Sequence, residues 1–167
     1  MIEIIYVQRD EKEILRNPME KYDYELSQYG DSDVNKLGLY GFDYLDNYWQ
    51  EGAKRWAYFI KVNDKPAGFA MIISDYFYLK SHQSGYVMSD FFVMYKYRGT
   101  GVGKYVANYL FDKFRGTWQL NTIEKNTIST VFWEKVIYEY TNGAYEIMPN
   151  DELGEGHKVF LFSTELY

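Results

Sequence analysis

The stretch Phe91-Phe92-Val93-Met94-Tyr95-Lys96-Tyr97-Arg98-Gly99-Thr100-Gly101-Val102-Gly103-Lys104 passes from an apolar, strand-forming run into a glycine-rich turn that opens a helix. Glycines lack a Cβ and tolerate positive φ, so several backbone N–H groups can converge on one anion, and the positive end of the following helix adds to the attraction. Arg98 and Lys104 place full charges at the two edges of the turn, and Arg98 can hold phosphate oxygens in a bidentate fork. The turn therefore reads as a phosphate cradle.

Working outward, Tyr86 to Met94 reads as a strand and Gly101 to Phe114 as a helix, whose Val102, Val106, Leu110 and Phe114 repeat every four residues and form one apolar face. Thr117 to Ile123 reads as the next strand, which makes Tyr86 to Ile123 a right-handed βαβ unit with parallel strands. Upstream, Arg55 to Val62 and Pro66 to Ser74 flank Asn63-Asp64-Lys65 and read as an antiparallel hairpin. Ile2 to Val7 is a first strand, with Asp10 as the N-cap of a helix that Pro18 kinks or divides. Tyr29 to Gln50 is a polar, aromatic loop with one short helix from about Asp43. Asn126 caps or precedes a helix through about Tyr140 whose apolar side is Ile128, Val131, Phe132, Val136 and Tyr140, and Asn142-Gly143 ends it. Strands at about Tyr145 to Met148 and Lys158 to Ser163 close the chain around the acidic loop from Pro149 to Gly156. The order predicts one α/β (α+β) domain over residues 1–167, with a mixed, mostly antiparallel sheet, a parallel βαβ cofactor-binding unit and helices on both faces.

Composition bounds the chemistry. The chain of 167 residues has no cysteine, which excludes disulfides, thiolate metal sites and a cysteine nucleophile, and its two histidines, His82 and His157, show no metal-ligand spacing. No metal is expected. A net charge of −6 argues against nucleic acid and favours a cationic small molecule or basic peptide as partner. The N-terminus lacks a signal-peptide pattern and no run is long enough to span a membrane, so a cytoplasmic location is expected. The many aromatics and the β-rich C-terminus are compatible with a homodimer, which no motif specifies.

Three phosphate-binding patterns compete for the turn. A P-loop would need glycine at position 98 and a hydroxyl residue with magnesium at 105, where the chain has Arg98 and Tyr105. A dinucleotide fingerprint would need a third glycine at position 104, where the chain has Lys104, and the upstream antiparallel strands are wrong for a doubly wound fold. The pattern Arg/Gln-x-x-Gly-x-Gly/Ala is met by Arg98-Gly99-Thr100-Gly101-Val102-Gly103. Together with Asp90-Phe91-Phe92-Val93, Trp118-Gln119-Leu120-Asn121 and the helix Asn126 to Lys135, it resembles the GNAT superfamily of acetyl-CoA-dependent N-acetyltransferases over roughly Tyr86 to Tyr145.

That resemblance implies that Phe92, Val93 and Met94 pair through their backbone with the pantetheine arm of acetyl-CoA, one N–H acting as oxyanion donor. It implies that Arg98, Gly99, Thr100, Gly101, Val102, Gly103 and Lys104 hold the pyrophosphate, that Asn126 bonds the pantetheine, and that Phe132 and Trp133 line the channel. Attack by an amine on a thioester requires a neutral amine, so a base is needed; Asp90 is the first candidate and Glu124 the second. Asp43 and Asp46 could hold a cationic acceptor. The family's thiolate-protonating tyrosine is replaced here by Trp133, which leaves Tyr138, Tyr140 or water as the acid, or a turnover that needs no dedicated acid. The expected function is acetyl transfer to a primary amine of a small molecule or peptide; the alternative is a non-catalytic acyl-CoA-binding module of the same fold.

Overall fold

Asn63 and Asp64 both adopt positive φ, 49° and 62°, the conformation of a two-residue hairpin turn that matches strand twist. They join β2 (Arg55–Val62) to β3 (Lys65–Ile73), and β1 (Ile2–Tyr6) adds antiparallel to β2. The computed structural model describes residues 1–165, and within them β4 (Tyr86–Val93), β5 (Thr117–Ile123), β6 (Tyr145–Pro149) and β7 (His157–Ser163) complete a sheet of order β1-β2-β3-β4-β5-β7-β6. Every pairing is antiparallel except β4 with β5, because the helix between them carries the chain back across the sheet.

Three α-helices cover the two faces: α1 (Lys12–Leu26), α2 (Val102–Lys113) and α3 (Thr127–Thr141). On one face, Val102, Val106, Leu110 and Phe111 of α2 and Trp133, Val136 and Ile137 of α3 bury against Ile60, Ile72, Met88, Trp118, Phe160 and Phe162. On the other, Leu15 and Met19 of α1 join Val7, Leu45, Phe69, Met71 and Phe92. Covered on both sides, β3 is buried from Ala67 to Ile73, as a central strand with no polar face should be.

Several local expectations need correction. Gln8, not Asp10, forms the capping box with Glu11 at the start of a 3-10 turn that leads into α1. Pro18 lies inside α1 without dividing it; the carbonyl it leaves unbonded is that of Ile14, an exposed residue whose carbonyl water can serve. The buried side of α3 is Trp133, Val136, Ile137 and Thr141, whereas Ile128 and Val131 are 75% and 65% exposed. The apolar stripe expected from the sequence is thus about one residue out of phase, a rotation of about 100° on a helix. Among the described residues, no helix is long and apolar enough to cross a membrane.

Candidate active site

β4 and β5 pair only at Tyr86↔Trp118, Val87↔Gln119 and Met88↔Leu120. Beyond that point β4 remains paired to β3 and β5 remains paired to β7, so the two central strands part and leave a gap. A bulge marks the parting: Met71 faces Asp90 and Ile72 faces Met88, which makes Ser89 the extra residue in β4. A bulge interrupts the two-residue alternation of side chains. As a result Ser89 and Asp90, although adjacent, line the same cavity.

The alternation resumes after the bulge and decides which backbone groups face the gap. The N–H of Met94 donates to the carbonyl of Ala67 at 2.8 Å, on the β3 side. Period two then turns Phe92 towards β3 as well and sends the N–H and C=O of Phe91 and Val93 away from it. Of the residues assigned to main-chain recognition, the backbone of Val93 thus faces the gap and those of Phe92 and Met94 do not, while Phe91, which was not among them, faces it too.

β4 runs through a 3-10 turn (Tyr95–Tyr97) into the glycine turn and α2. Gly99 and Gly101 have φ of 71° and 88°, and a Cβ at either would meet nothing within 4 Å, so both backbones face open space. Among the described residues, the N–H groups of Gly99, Thr100, Gly101, Val102, Gly103 and Lys104 make no bond outside the helix, and the first turn of a helix offers them no internal acceptor. Such a cradle fits a pyrophosphate. Gly103 is packed differently: its missing Cβ would lie 3.0 Å from Cε2 and Cζ of Phe132 and 3.7 Å from Cγ2 of Val93. Phe132 also stacks on Phe91, with ring centroids 6.0 Å apart, and walls the gap.

The other assigned residues scatter. Asn126 caps α3, its Oδ1 accepting from the N–H of Ser129 at 3.2 Å. Trp133 is 5% exposed and packs edge-on against Phe91 and Phe132, so it belongs to the core and lines no open channel. Glu124 is exposed and 3.6 Å from Lys158. Tyr138 and Tyr140 lie about 9 and 12 Å along α3 from Phe132, at 1.5 Å per residue; the ring of Tyr138 packs beside Gly143 past the end of the helix, and the hydroxyl of Tyr140 donates to Asp112 at the far end of α2. Neither tyrosine reaches the gap. Asp43 and Asp46 are both exposed, and Asp46 pairs with Lys12 on the surface.

Asp90 stands apart from these. It opens into a cavity of about 350 Å³ lined by Tyr44, Tyr48, Arg55, Ile73, Tyr76, Tyr78 and Ser89. Burial pushes its carboxyl up to about 6, opposed by hydrogen bonds from Ser89 and Tyr22. Asp23 of α1 is also raised to about 6, by burial and then by the charges of Asp90 and Glu20. Burial, followed by the charge of Asp90, holds the hydroxyls of Tyr22, Tyr44, Tyr48 and Tyr78 above the ordinary phenol range, so all four stay protonated donors. The positions of these residues follow from tertiary structure: Tyr48 sits on a 3-10 turn (Leu45–Trp49) pinned by Trp49 Nε1 donating to Val7 O at 2.9 Å, and Tyr78 is held by buried Gln119. The sequence signal for them was the tyrosine content alone.

Solved structures share this architecture. An acetyltransferase from Thermus thermophilus superposes with a TM-score of 0.69 at 11% identity, covering 98% of this chain and 97% of that one. A GNAT-family acetyltransferase from Staphylococcus aureus Mu50 gives 0.63 at 16% identity over 98% and 99%, and PH1933 from Pyrococcus horikoshii OT3 gives 0.64 at 21% over 98% of both. At these identities the likeness establishes the fold. No curated protein sequence matches the chain. The chain belongs to the acetyltransferase (GNAT) family, whose model matches residues 21–137. It is therefore an acyltransferase.

Proposed function

We propose that this enzyme transfers an acetyl group from acetyl-CoA to the primary amine of a compact, cationic small molecule. One observation carries the reading: β4 turns the backbone of Phe91 and the N–H of Val93 to the gap, directs Asp90 into the cavity on its other face, and ends in the glycine turn. A donor laid along that edge and an acceptor in the cavity would meet across a single strand.

Bound acetyl-CoA supplies the acetyl thioester. The N–H groups from Gly99 to Lys104 hold its pyrophosphate at the helix N-terminus, and the edge of β4 binds the pantetheine arm as an added strand would, with the N–H of Val93 directed into the gap. An alkyl ammonium has a pKa of roughly 10 and must lose a proton before its nitrogen can attack. Asp90, raised to about 6, is ionised at neutral pH yet more basic than an ordinary aspartate, and it accepts that proton. The phenol rings around it attract the cation through their faces. With Trp133 buried and Tyr138 and Tyr140 distant, water supplies the proton to the departing thiolate.

Thiol release from acetyl-CoA, followed across a panel of small primary amines, tests this reading. Release that depends on the amine is expected. Tight binding of acetyl-CoA with no release above hydrolysis for any amine would refute it.

A further inference from the structure

Arg98 begins the glycine turn, where a guanidinium would be expected to reach for phosphate, yet three of its five side-chain N–H groups are committed elsewhere. Nη1 and Nη2 each donate to one carboxylate oxygen of Glu25 at 2.8 Å, the bidentate fork geometry. Nε donates to the carbonyl of Val93 at 2.6 Å. The guanidinium carbon lies 4.2 Å from the ring centroid of Tyr95 and 5.5 Å from that of Phe92, so two aromatic rings also pack near the guanidinium. Even the backbone N–H of Arg98 is taken, by the carbonyl of Tyr95 at 3.1 Å.

Lys104, the other cation of the turn, pairs with Glu139 on the surface, and half of its side chain is exposed. Such a pair exchanges readily with a phosphate. The pair of Arg98 and Glu25 is less exposed, at 29% and 27%. Its partner also has a meaning in the fold. Glu25 lies three residues beyond Tyr22 on α1, and Tyr22 packs on Phe69 and Phe92 with centroids 5.5 and 5.8 Å apart, its hydroxyl favouring the charged form of Asp90.

We infer that Arg98 is a positioning residue that clasps the phosphate turn and the free edge of β4 to α1, and that it is not itself a phosphate ligand. Its Nε fixes the carbonyl of Val93, the residue whose N–H faces the gap, while its fork ties the turn to the helix that supports Asp90. The pyrophosphate is left to the N–H groups from Gly99 to Lys104 and to the Lys104 ammonium. The clasp therefore joins the donor and acceptor halves of the site. The inference rests on the proposed acetyl-CoA site for its consequence, though the clasp itself is a property of the free protein.

Two measurements test it. In the first, Arg98→Ala, Arg98→Lys, Glu25→Ala and the exchange Glu25→Arg/Arg98→Glu are compared for their Kd for coenzyme A and for pantetheine, which lacks the diphosphate. A clasp predicts that Arg98→Ala and Glu25→Ala weaken both ligands by the same factor, on the order of tenfold, that Arg98→Lys falls between, and that the exchange recovers part of the loss. If Arg98→Ala weakens coenzyme A alone while Glu25→Ala leaves it unchanged or tighter, Arg98 is a phosphate ligand and the inference is wrong. The second is thermal unfolding of the free protein: both alanine variants should lower Tm, Arg98→Ala the more because it also loses the bond to Val93, and the double variant should lower it no further than Arg98→Ala does. Additive losses would overturn the clasp. Wild-type protein that binds no coenzyme A would refute the proposed function instead, and leave the clasp to be judged by the unfolding data.

Discussion

Gly103 and Phe132 pack so closely that a Cβ on the glycine would stand 3.0 Å from two carbons of the phenyl ring. The contact seats the first turn of α2 against the wall of the gap and so fixes where its N–H groups point.

Gly103→Val should therefore displace Phe132, destabilise the protein by roughly 1–3 kcal/mol through overpacking, and raise the Kd for acetyl-CoA at least tenfold. Adding Phe132→Ala should recover stability. Isothermal titration and urea unfolding of the single and double variants measure the two effects; unchanged cofactor affinity in Gly103→Val would remove the turn from the site.

Asp90 governs the expected pH dependence. Its native pKa is raised from 3.8 to about 6, so the folded state binds its proton more tightly than the unfolded chain does, and its contribution to stability falls as pH rises from about 4 to 6 and stays lost above. Asp90→Asn should accordingly raise Tm at pH 7.5 and leave it nearly unchanged at pH 4. For catalysis the sign is opposite: kcat/KM should rise through pH 6 as the carboxylate ionises, and Asp90→Asn should lower kcat far more than it raises the Kd for acetyl-CoA. Asp23→Asn is the control, because Asp23 is also raised to about 6. A variant as impaired at pH 9.5, where free amine is abundant, as at pH 7 would show that Asp90 is no simple base.

Gln119 is fully buried in β5 and accepts from the N–H groups of Tyr78 and Leu79 at 3.0 and 3.1 Å while donating to the carbonyl of His82 at 2.6 Å. Gln119→Leu would leave those backbone groups unpaired, at a cost of about 2–4 kcal/mol. Because Tyr78 lines the cavity, the KM for the amine should rise while the Kd for acetyl-CoA holds. Equal losses in both would mean that the loop serves the whole fold and not the acceptor wall.

Tyr138→Phe should leave the rate unchanged, since its side chain is exposed far along α3. Tyr140→Phe should cost about 0.5–1.5 kcal/mol of stability through the lost bond to Asp112, again with kcat preserved. A tenfold fall in kcat for either would restore it as the acid.

Local chemistry made much of this legible in advance. The strand boundaries at Arg55–Val62 and Thr117–Ile123, the hairpin turn after Val62, the parallel βαβ unit and the helix opening at Asn126 depend largely on neighbours within a few positions, and all are present in the structure, with Lys65 in β3 and not in the turn. Asp90 was legible as a carboxylate on the strand feeding the turn. The phase of α3 was not, because Ile128 and Val131 are as apolar as the residues beside them and only the sheet determines which side is covered.

The order of residues by itself determined which segments extend, turn and coil, and it marked the glycine turn as a place where backbone N–H groups can meet an anion, since φ preference and the missing Cβ are properties of single residues. Tertiary structure alone decided what those elements do together. The bulge at Ser89, which aims Asp90 into the tyrosines, arises from a register mismatch between two strands. The pairing of Arg98 with Glu25, 73 positions apart, depends on α1 crossing the sheet beside the turn. Register and long-range pairing are set by the packing of the whole chain, so no window of sequence contains them.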